Sequence, residues 1–462
     1  MNTAKKLLIL GGDKFAYRRL WLHTIHVATT GNDTTGNGSL TAPYLTLTKA
    51  MTVAVAGDGI LVANGVYSEN SSGQWIISKN LNSWLIIEPE LGSVGDVVIK
   101  GTDGNFTSIF INEPSAFLKF RYLKFGSCVS GGGSFRIGSY TNNLYFDTCS
   151  FIKYTGDATT GLFFSPNTAS NLTFKNCVFG SSNAAGNKGI WIDCNSTSSF
   201  TDTVFDHCII NGGNGSDSKG LYSTCINGGV TDITYDNCAF NGAFAIQAIS
   251  CNGFVFNNCT AEDTNNGNCV QFGVDGTGTN NKTTTELNNF IITKNLSYNG
   301  HTLLFGVGCI DCVADNITIS KSYDNGIVIK EAGTVEVKNS DVTGGGTSAI
   351  YIKGAINSNI HDNIFRVVTG KGFQTQVGSS GNKVQNWQFN NNTIYVSGTG
   401  KALSLGGDVD DAGGGICDYN TYQNNSGLGS VRNDADVQSL AELRAAWADY
   451  DVTTNDSNST II

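Results

Sequence analysis

Between Leu144 and Phe240 the chain repeats one short phrase: LYFDTCSF (144–151), LTFKNCVF (172–179), TVFDHCII (203–210) and ITYDNCAF (233–240), returning as FVFNNCTA (254–261). In each, apolar and polar residues alternate, a polar pair follows, and then comes Cys149, Cys177, Cys208, Cys238 or Cys259. Alternation predicts a short half-buried strand. Its regular return predicts a solenoid. The same point can be followed back to Leu123 and onward through Asn295, Ser322, Ser340, Asn363 and Asn392. Ten steps cover 392 − 123 = 269 residues, about 27 per coil, which suits a three-sided turn of parallel strands. Cys, Asn and Ser at one point of each coil predict an inward ladder at a bend, where side chains satisfy backbone groups coil after coil.

A second set of strands lies between the phrases, among them GLFFSPN (161), GIWIDCN (189), GLYSTCIN (220), CVQFGVD (269), GIVIKEAG (326), AIYIKGA (349) and GFQTQVG (372). Alternation puts Ile190, Ile192, Ile327, Ile329, Ile350 and Ile352 inside. It puts Trp191, Asp193, Tyr222, Gln271, Asp275, Lys330, Tyr351, Lys353, Gln374 and Gln376 outside. Apolar residues fill both parities of the strands at 243 and 302, so their register stays open.

The ends differ in texture. Residues 1–24 carry Lys5, Lys6, Lys14, Arg18 and Arg19 beside Phe15, Tyr17, Leu20, Trp21 and Leu22. They read either as an irregular leader lying on the first coil or as a docking peptide for a larger particle. Residues 25–435 read as the solenoid with its N-terminal cap, in which Leu45, Leu47, Ala50, Met51 and Ala54 line one face of a short helix. Residues 436–462 read as a capping helix, Asp436–Tyr450, with Leu440, Leu443, Ala446 and Trp447 apolar and Asp436 or Ser439 as cap, followed by a tail.

The cap carries Gly31-Asn32-Asp33, Ala42-Pro43-Tyr44-Leu45-Thr46-Leu47, Gly57-Asp58-Gly59-Ile60 and Gly65-Val66-Tyr67-Ser68-Glu69. Over these 45 or so residues the chain resembles right-handed parallel β-helix proteins of the pectate-lyase-like superfamily, a group that includes polysaccharide lyases and phage tailspikes. The resemblance implies an all-β, single-stranded right-handed parallel β-helix whose helix plugs one open end. It implies proteins that bind or cut polysaccharide on an outward sheet, often as homotrimers, with Ca²⁺ as a candidate cofactor.

Charged residues are 14% of the chain, and 57 Gly accompany only 4 Pro, which suits stacked strands joined by polar turns. Net charge is −10, and no basic stripe marks a nucleic-acid surface. No apolar run is long enough to cross a membrane. No signal peptide is recognisable, since the first apolar run is only Leu7 to Leu10; a virion surface or the extracellular space is the expected location. The 13 cysteines are odd in number, and five share one repeat point ~4.8 Å apart on successive coils. Free buried thiols are the simpler reading and some bridges the alternative. Cys309 and Cys312 with His301 lack the second pair that a zinc site needs.

The outward face mixes rings with amides and a few charges, which is what a sugar groove needs; an ordinary solvated sheet is the plain alternative. For β-elimination, Lys330 and Lys353 fall at corresponding outward positions ~5 Å apart, with Glu331 beside them, and are the candidate base. Two surface lysines spaced by the repeat are the plain alternative. For hydrolysis, Asp193 and Asp275 lie three coils apart, ~14 Å, too far for a catalytic pair. Glu262-Asp263 and Asp410-Asp411 read as solvated turn acids. The expected function is that of a tailspike or fibre component that binds host glycan, with depolymerisation left open. A secreted uronate lyase and a non-catalytic adhesin are the alternatives.

Overall fold

The computed structural model describes residues 21–69, 75–93, 97–100, 107–111, 113–127, 133–138, 140–153, 160–164, 168–180, 187–193, 199–213, 215, 218–224, 232–263, 268–275, 282–294, 300–376, 378, 381–382, 384–405, 415–424, 429–431, 435–437, 439–447, 454–455 and 458–461. Residues 1–20, most of the basic leader, and the acidic loop around Asp410-Asp411 lie outside them.

The chain winds as a right-handed parallel β-helix. Each coil supplies a strand to face I, turns a tight bend into face II, and crosses to face III. One coil, for example, uses Thr141–Asp147, Ser150–Lys153 and Thr160–Phe164. Faces I and II join through the bend into one sheet of 29 strands, and face III is a separate sheet of 15. Register on face I runs unbroken from Phe120 through Phe146, Phe174, Phe205, Tyr235, Phe256, Leu287, Ala314, Val337, Ile360 and Phe389 to Cys417. That is 417 − 120 = 297 residues in eleven steps, about 27 per coil. Single steps vary from 21 residues (Tyr235 to Phe256) to 31 (Phe256 to Leu287).

The bend explains the repeated phrase. Its second polar residue takes a left-handed conformation at all twelve levels: Tyr122, Thr148, Asn176, His207, Asn237, Asn258, Asn289, Asn316, Asn339, Asp362, Asn391 and Tyr419, with φ from 51° to 59°. Seven are Asn, which tolerates this region better than most residues. The next residue points inward. Cys149, Cys177, Cys208, Cys238 and Cys259 donate their thiols to Phe120, Phe146, Phe174, Phe205 and Tyr235 carbonyls on the coil before, at 3.3–3.7 Å. Higher up, Asn363 Nδ2 donates to Val337 O at 3.0 Å, while its Oδ1 accepts Ser340 N at 2.9 Å. Asn392 and Asn420 repeat the pattern. The ten described cysteines are buried.

Two steps of the sequence trace are corrected. Phe290, not Asn295, and Ile317, not Ser322, stand at the ladder point, because Asn258-Cys259 is in register with Asn289-Phe290, and Asn289-Phe290 with Asn316-Ile317. There single strands, Thr285–Thr293 and Cys312–Lys321, cover both sides of the bend, which still turns at left-handed Asn289 and Asn316. Inside, Phe120, Phe146, Phe174, Phe205, Tyr235 and Phe256 stack face to face at 4.7–5.0 Å, which adds to the burial of their area. Ile190, Ile192, Ile327, Ile329, Ile350 and Ile352 all lie in the core.

At one end, helix α1 (Leu47–Val53) buries Leu47, Ala50 and Met51 over the first coils. Leu45 lies before the helix and is 42% exposed, so it does not share that face. Two of the three acidic residues of the cap motifs serve the helix start, while the third, Asp58, accepts Val55 N just past the helix end. Asp33 accepts Leu45 N, Thr46 N and Thr46 Oγ1. Buried Glu69 accepts Leu47 N, Thr48 N and Thr48 Oγ1 at 2.6–2.9 Å. At the other end, helix α2 spans Leu440–Trp447, shorter than the sequence suggests, with Ser439 Oγ accepting Glu442 N and Leu443 buried. Asp436 lies instead in the strand Ala435–Val437, which pairs antiparallel with Gly429–Val431 and closes face III. The tail returns to add Thr454–Asn455 to face I and Thr460–Ile461 to face II.

Because Asn363 closes hydrogen bonds that no other group can supply, Asn363→Ala should destabilise the coil by about 2–4 kcal/mol. Cys208→Ala removes only a weak donor and should cost about 1 kcal/mol beyond its packing loss. Urea unfolding midpoints of the two variants measure the difference.

Candidate functional site

Face III carries two long outward columns set by strand register. One runs Ile76, Phe110, Arg136, Phe163, Trp191, Tyr222, Gln247, Gln271, Leu304, Val328, Tyr351, Gln374 and Ser404. Five residues expected outside from the sequence, Trp191, Tyr222, Gln271, Tyr351 and Gln374, thus share one column. The open parities resolve with Gln247 and Leu304 in it. A second column, at the start of the strands, includes Lys188 and Lys219 and, at higher levels, Asn325, Ser348, Lys371 and Lys401. Lys330 and Lys353 are register partners beyond Tyr351's column, with Gln376 next to Lys353.

The lower coils form a ring-and-cation strip. The Arg136 guanidinium lies 5.2 Å from the Phe110 ring and 5.4 Å from Phe163, and burial holds its pKa down. Phe163 and Trp191 sit 4.8 Å apart, and Trp191 and Tyr222 6.3 Å. Lys188 Nζ lies 4.3 Å from the Trp191 ring and Lys219 Nζ 4.9 Å from Tyr222, distances at which the ring quadrupole attracts the charge. Asp193 meets Thr224 Oγ1 at 3.4 Å.

The upper coils form a polar patch that gathers most of the other named residues. Lys330 Nζ donates to Asp275 Oδ1 at 2.9 Å. Asn268 Nδ2 reaches both Asp275 Oδ2 (3.4 Å) and Gln271 Oε1 (3.2 Å), and Gln247 also donates to Gln271. Gln271 is therefore only 5% exposed despite its outward register. Leu304 and Val328 are buried as well. Tyr351 OH donates to Gln376 Oε1, and Ser348 Oγ to Gln374 Oε1 at 2.6 Å. Burial, with the Asp324 charge behind it, pushes the Tyr351 hydroxyl up to about 12. Glu331 does not join the patch. It follows Lys330 in a left-handed conformation (φ 49°) and turns to the corner toward face I.

His301 is the residue that sequence reasoning left out of the site. Its backbone N–H donates to Asn268 Oδ1 at 2.8 Å; its Nδ1 lies 3.3 Å from Asn325 Nδ2 and 3.8 Å from Asp324 Oδ2. Thr347 Oγ1 anchors the other Asp324 oxygen at 2.5 Å. Burial lowers the imidazole pKa, against the pull of Asp275 and Asp324 and with the push of Lys294 and Lys330. Behind it, Lys294 and Asp263 are buried. Glu262 and Asp263, expected in a solvated turn, in fact end the strand Thr260–Asp263, and Asp263 points inward. The signal for His301 was its place one residue before Thr302-Leu303-Leu304, near the start of a face III strand as Lys188 and Lys219 are. Among the described residues no three His, Cys, Asp or Glu converge as metal ligands.

Residues 302–438 match a family model described as right handed beta helix region, and residues 29–136 one described as protein of unknown function (DUF1565). No curated protein matches the sequence. Solved structures similar to this chain include the Dettilon tailspike protein (10% identity, TM-score 0.41, 94% of this chain and 68% of that one). They also include bacteriophage CBA120 tailspike protein 3 (12%, 0.44, 94% and 61%) and pectate lyase Pel9A (14%, 0.32, 83% and 77%). The likeness is one of fold.

Two histidines should titrate in opposite directions in one sample. His301 should stay neutral to below its usual range. His361 also feels burial downward, but hydrogen bonds to Asp362 and Glu336 outweigh it and raise it. By linkage, His301 contributes stability that is lost as pH falls below about 6.5, and His361 stability that is lost as pH rises past that value. Imidazole NMR titration with His301→Gln and His361→Gln for assignment tests this; equal midpoints would refute it.

Proposed function

We propose that the protein recognises a polysaccharide laid along face III and that it serves as a tailspike- or fibre-type component of a virion. One observation carries the glycan reading: an outward column of Phe110, Arg136, Phe163, Trp191 and Tyr222 on the same face as the polar patch around His301. From Phe110 to Tyr351 it covers nine steps, roughly 43 Å at the usual strand spacing. Such a strip suits a polymer rather than a small ligand. Rings take the apolar faces of sugars, and Tyr351, Gln374 and Gln376 meet hydroxyls. The virion role draws on the basic and aromatic composition of residues 1–24 as a docking peptide, and the homotrimer on the resemblance given above.

Depolymerisation at the patch is part of the reading. Removal of a proton beside a uronate carboxylate needs a base, and His301, kept neutral by burial and backed by Asp324, supplies one. Lys330 and Lys353 supply positive charge for the carboxylate. Lys330 Nζ is already a donor to Asp275, which favours that role over the role of base.

The test uses a panel of uronate and neutral glycans, with Ca²⁺ or with chelator, following ultraviolet absorbance of unsaturated ends and, separately, new reducing ends. Trp191→Ala with Tyr222→Ala should weaken binding about tenfold or more. His301→Gln should lower turnover and leave binding intact. Binding without any product would leave an adhesin; no binding at all would overturn the reading.

A further inference from the structure

A second cavity lies away from the outward columns, where the chain turns from face III toward face I. It measures about 450 Å³ and is lined by Lys282, Val307, Ile310, Glu331, Asn382 and Gln385 over a floor that includes Gly308, Gly333 and Gly354. That volume falls in the range of small-ligand sites.

Its shape follows from where side chains are missing. Gly333 stands between Ile310 on the coil before and Ile356 on the coil after, and it packs against Ile310. Two coil steps separate the isoleucines, roughly 10 Å between backbones. They remain 38% and 42% exposed, so the slot between them is open. One flat ring or one aliphatic chain fits it. Glu331 borders the slot. Its backbone is fixed by Glu331 N donating to Lys353 O at 2.7 Å, and its side chain occupies the space that a Cβ on Gly378 would need, 2.8 Å from Oε1. The side chain thus packs against the Gly378 backbone beside the slot.

Five backbone N–H groups of this corner are already engaged. Ile310 N, Gly333 N, Gly354 N, Ile356 N and Gln385 N all donate to neighbouring coils. Those donors are not available to a peptide strand, which leaves the side chains as the groups to hold a ligand. Those side chains are two apolar walls, one carboxylate, two amides at one end and the Lys282 ammonium.

We infer that this corner is a second binding site, for a hydroxylated ring carrying a protonated amine, the hexosamine class. The ring stacks between Ile310 and Ile356, the amine meets Glu331, and the hydroxyls meet Asn382 and Gln385. Lys282 repels the amine from its own end and so fixes which way the ring points. The inference stands apart from the glycan reading of face III.

The experiment titrates the full chain with glucosamine, N-acetylglucosamine and glucose, read by calorimetry or ligand-observed NMR. Glucosamine should bind at least several-fold better than the other two. Glu331→Gln should weaken it about tenfold or more, since a charge-assisted bond is lost. Lys282→Glu, at an exposed position where folding is not at risk, should strengthen it. Trp191→Ala with Tyr222→Ala should leave it unchanged. Equal affinity for all three sugars, no response to Lys282→Glu, or loss of binding in the Trp191 and Tyr222 variant would each overturn the proposal.

Discussion

Every coil of this protein must hand the next one the same set of hydrogen-bonding groups at the same spacing. The difficulty lies at the bend between faces I and II, where the chain turns too sharply for strand pairing to satisfy all of its own backbone. The solution is local and repeated. One residue goes left-handed, and the next sends a side chain inward to the carbonyl of the coil before. Asn does this with strong bonds, Cys with weak ones, and Phe290 and Ile317 not at all. The faces, the aromatic stack and the outward columns all inherit their alignment from this point.

The repeat was legible because its inward residue is chemically conspicuous. Cys and Asn stand out among apolar neighbours, so the coil length and the sidedness of each strand could be read from the chain. Where the inward residue is apolar, that contrast vanishes. The trace then slid five residues to Asn295 and Ser322, which resemble the marker in composition but do not occupy its place.

The site was legible to the same degree and for the same reason. Alternation assigns Trp191, Tyr222, Tyr351 and Gln374 to a column, because a column is a property of one strand repeated. It carries no information on what lies over that column. Gln271 faces outward yet is covered by its neighbours, and Lys330 meets Asp275 across 55 residues of sequence. Nor does alternation reach His301, which precedes its strand. That residue and His361 also show how strongly place outweighs identity. One is enclosed and loses its proton readily; the other sits between two carboxylates and keeps it.

The antiparallel strand that closes face III has a consequence for the molecule as a whole. A parallel solenoid is an open-ended template, since its last strand presents the same edge that every earlier strand presented. Here Ala435–Val437 reverses direction, so face III ends on a strand that breaks the parallel repeat. Helix α1 covers the opposite end. A second copy stacking end to end therefore meets a reversed strand on face III at one end and a helix at the other, while faces I and II still end on the parallel strands Thr454–Asn455 and Thr460–Ile461.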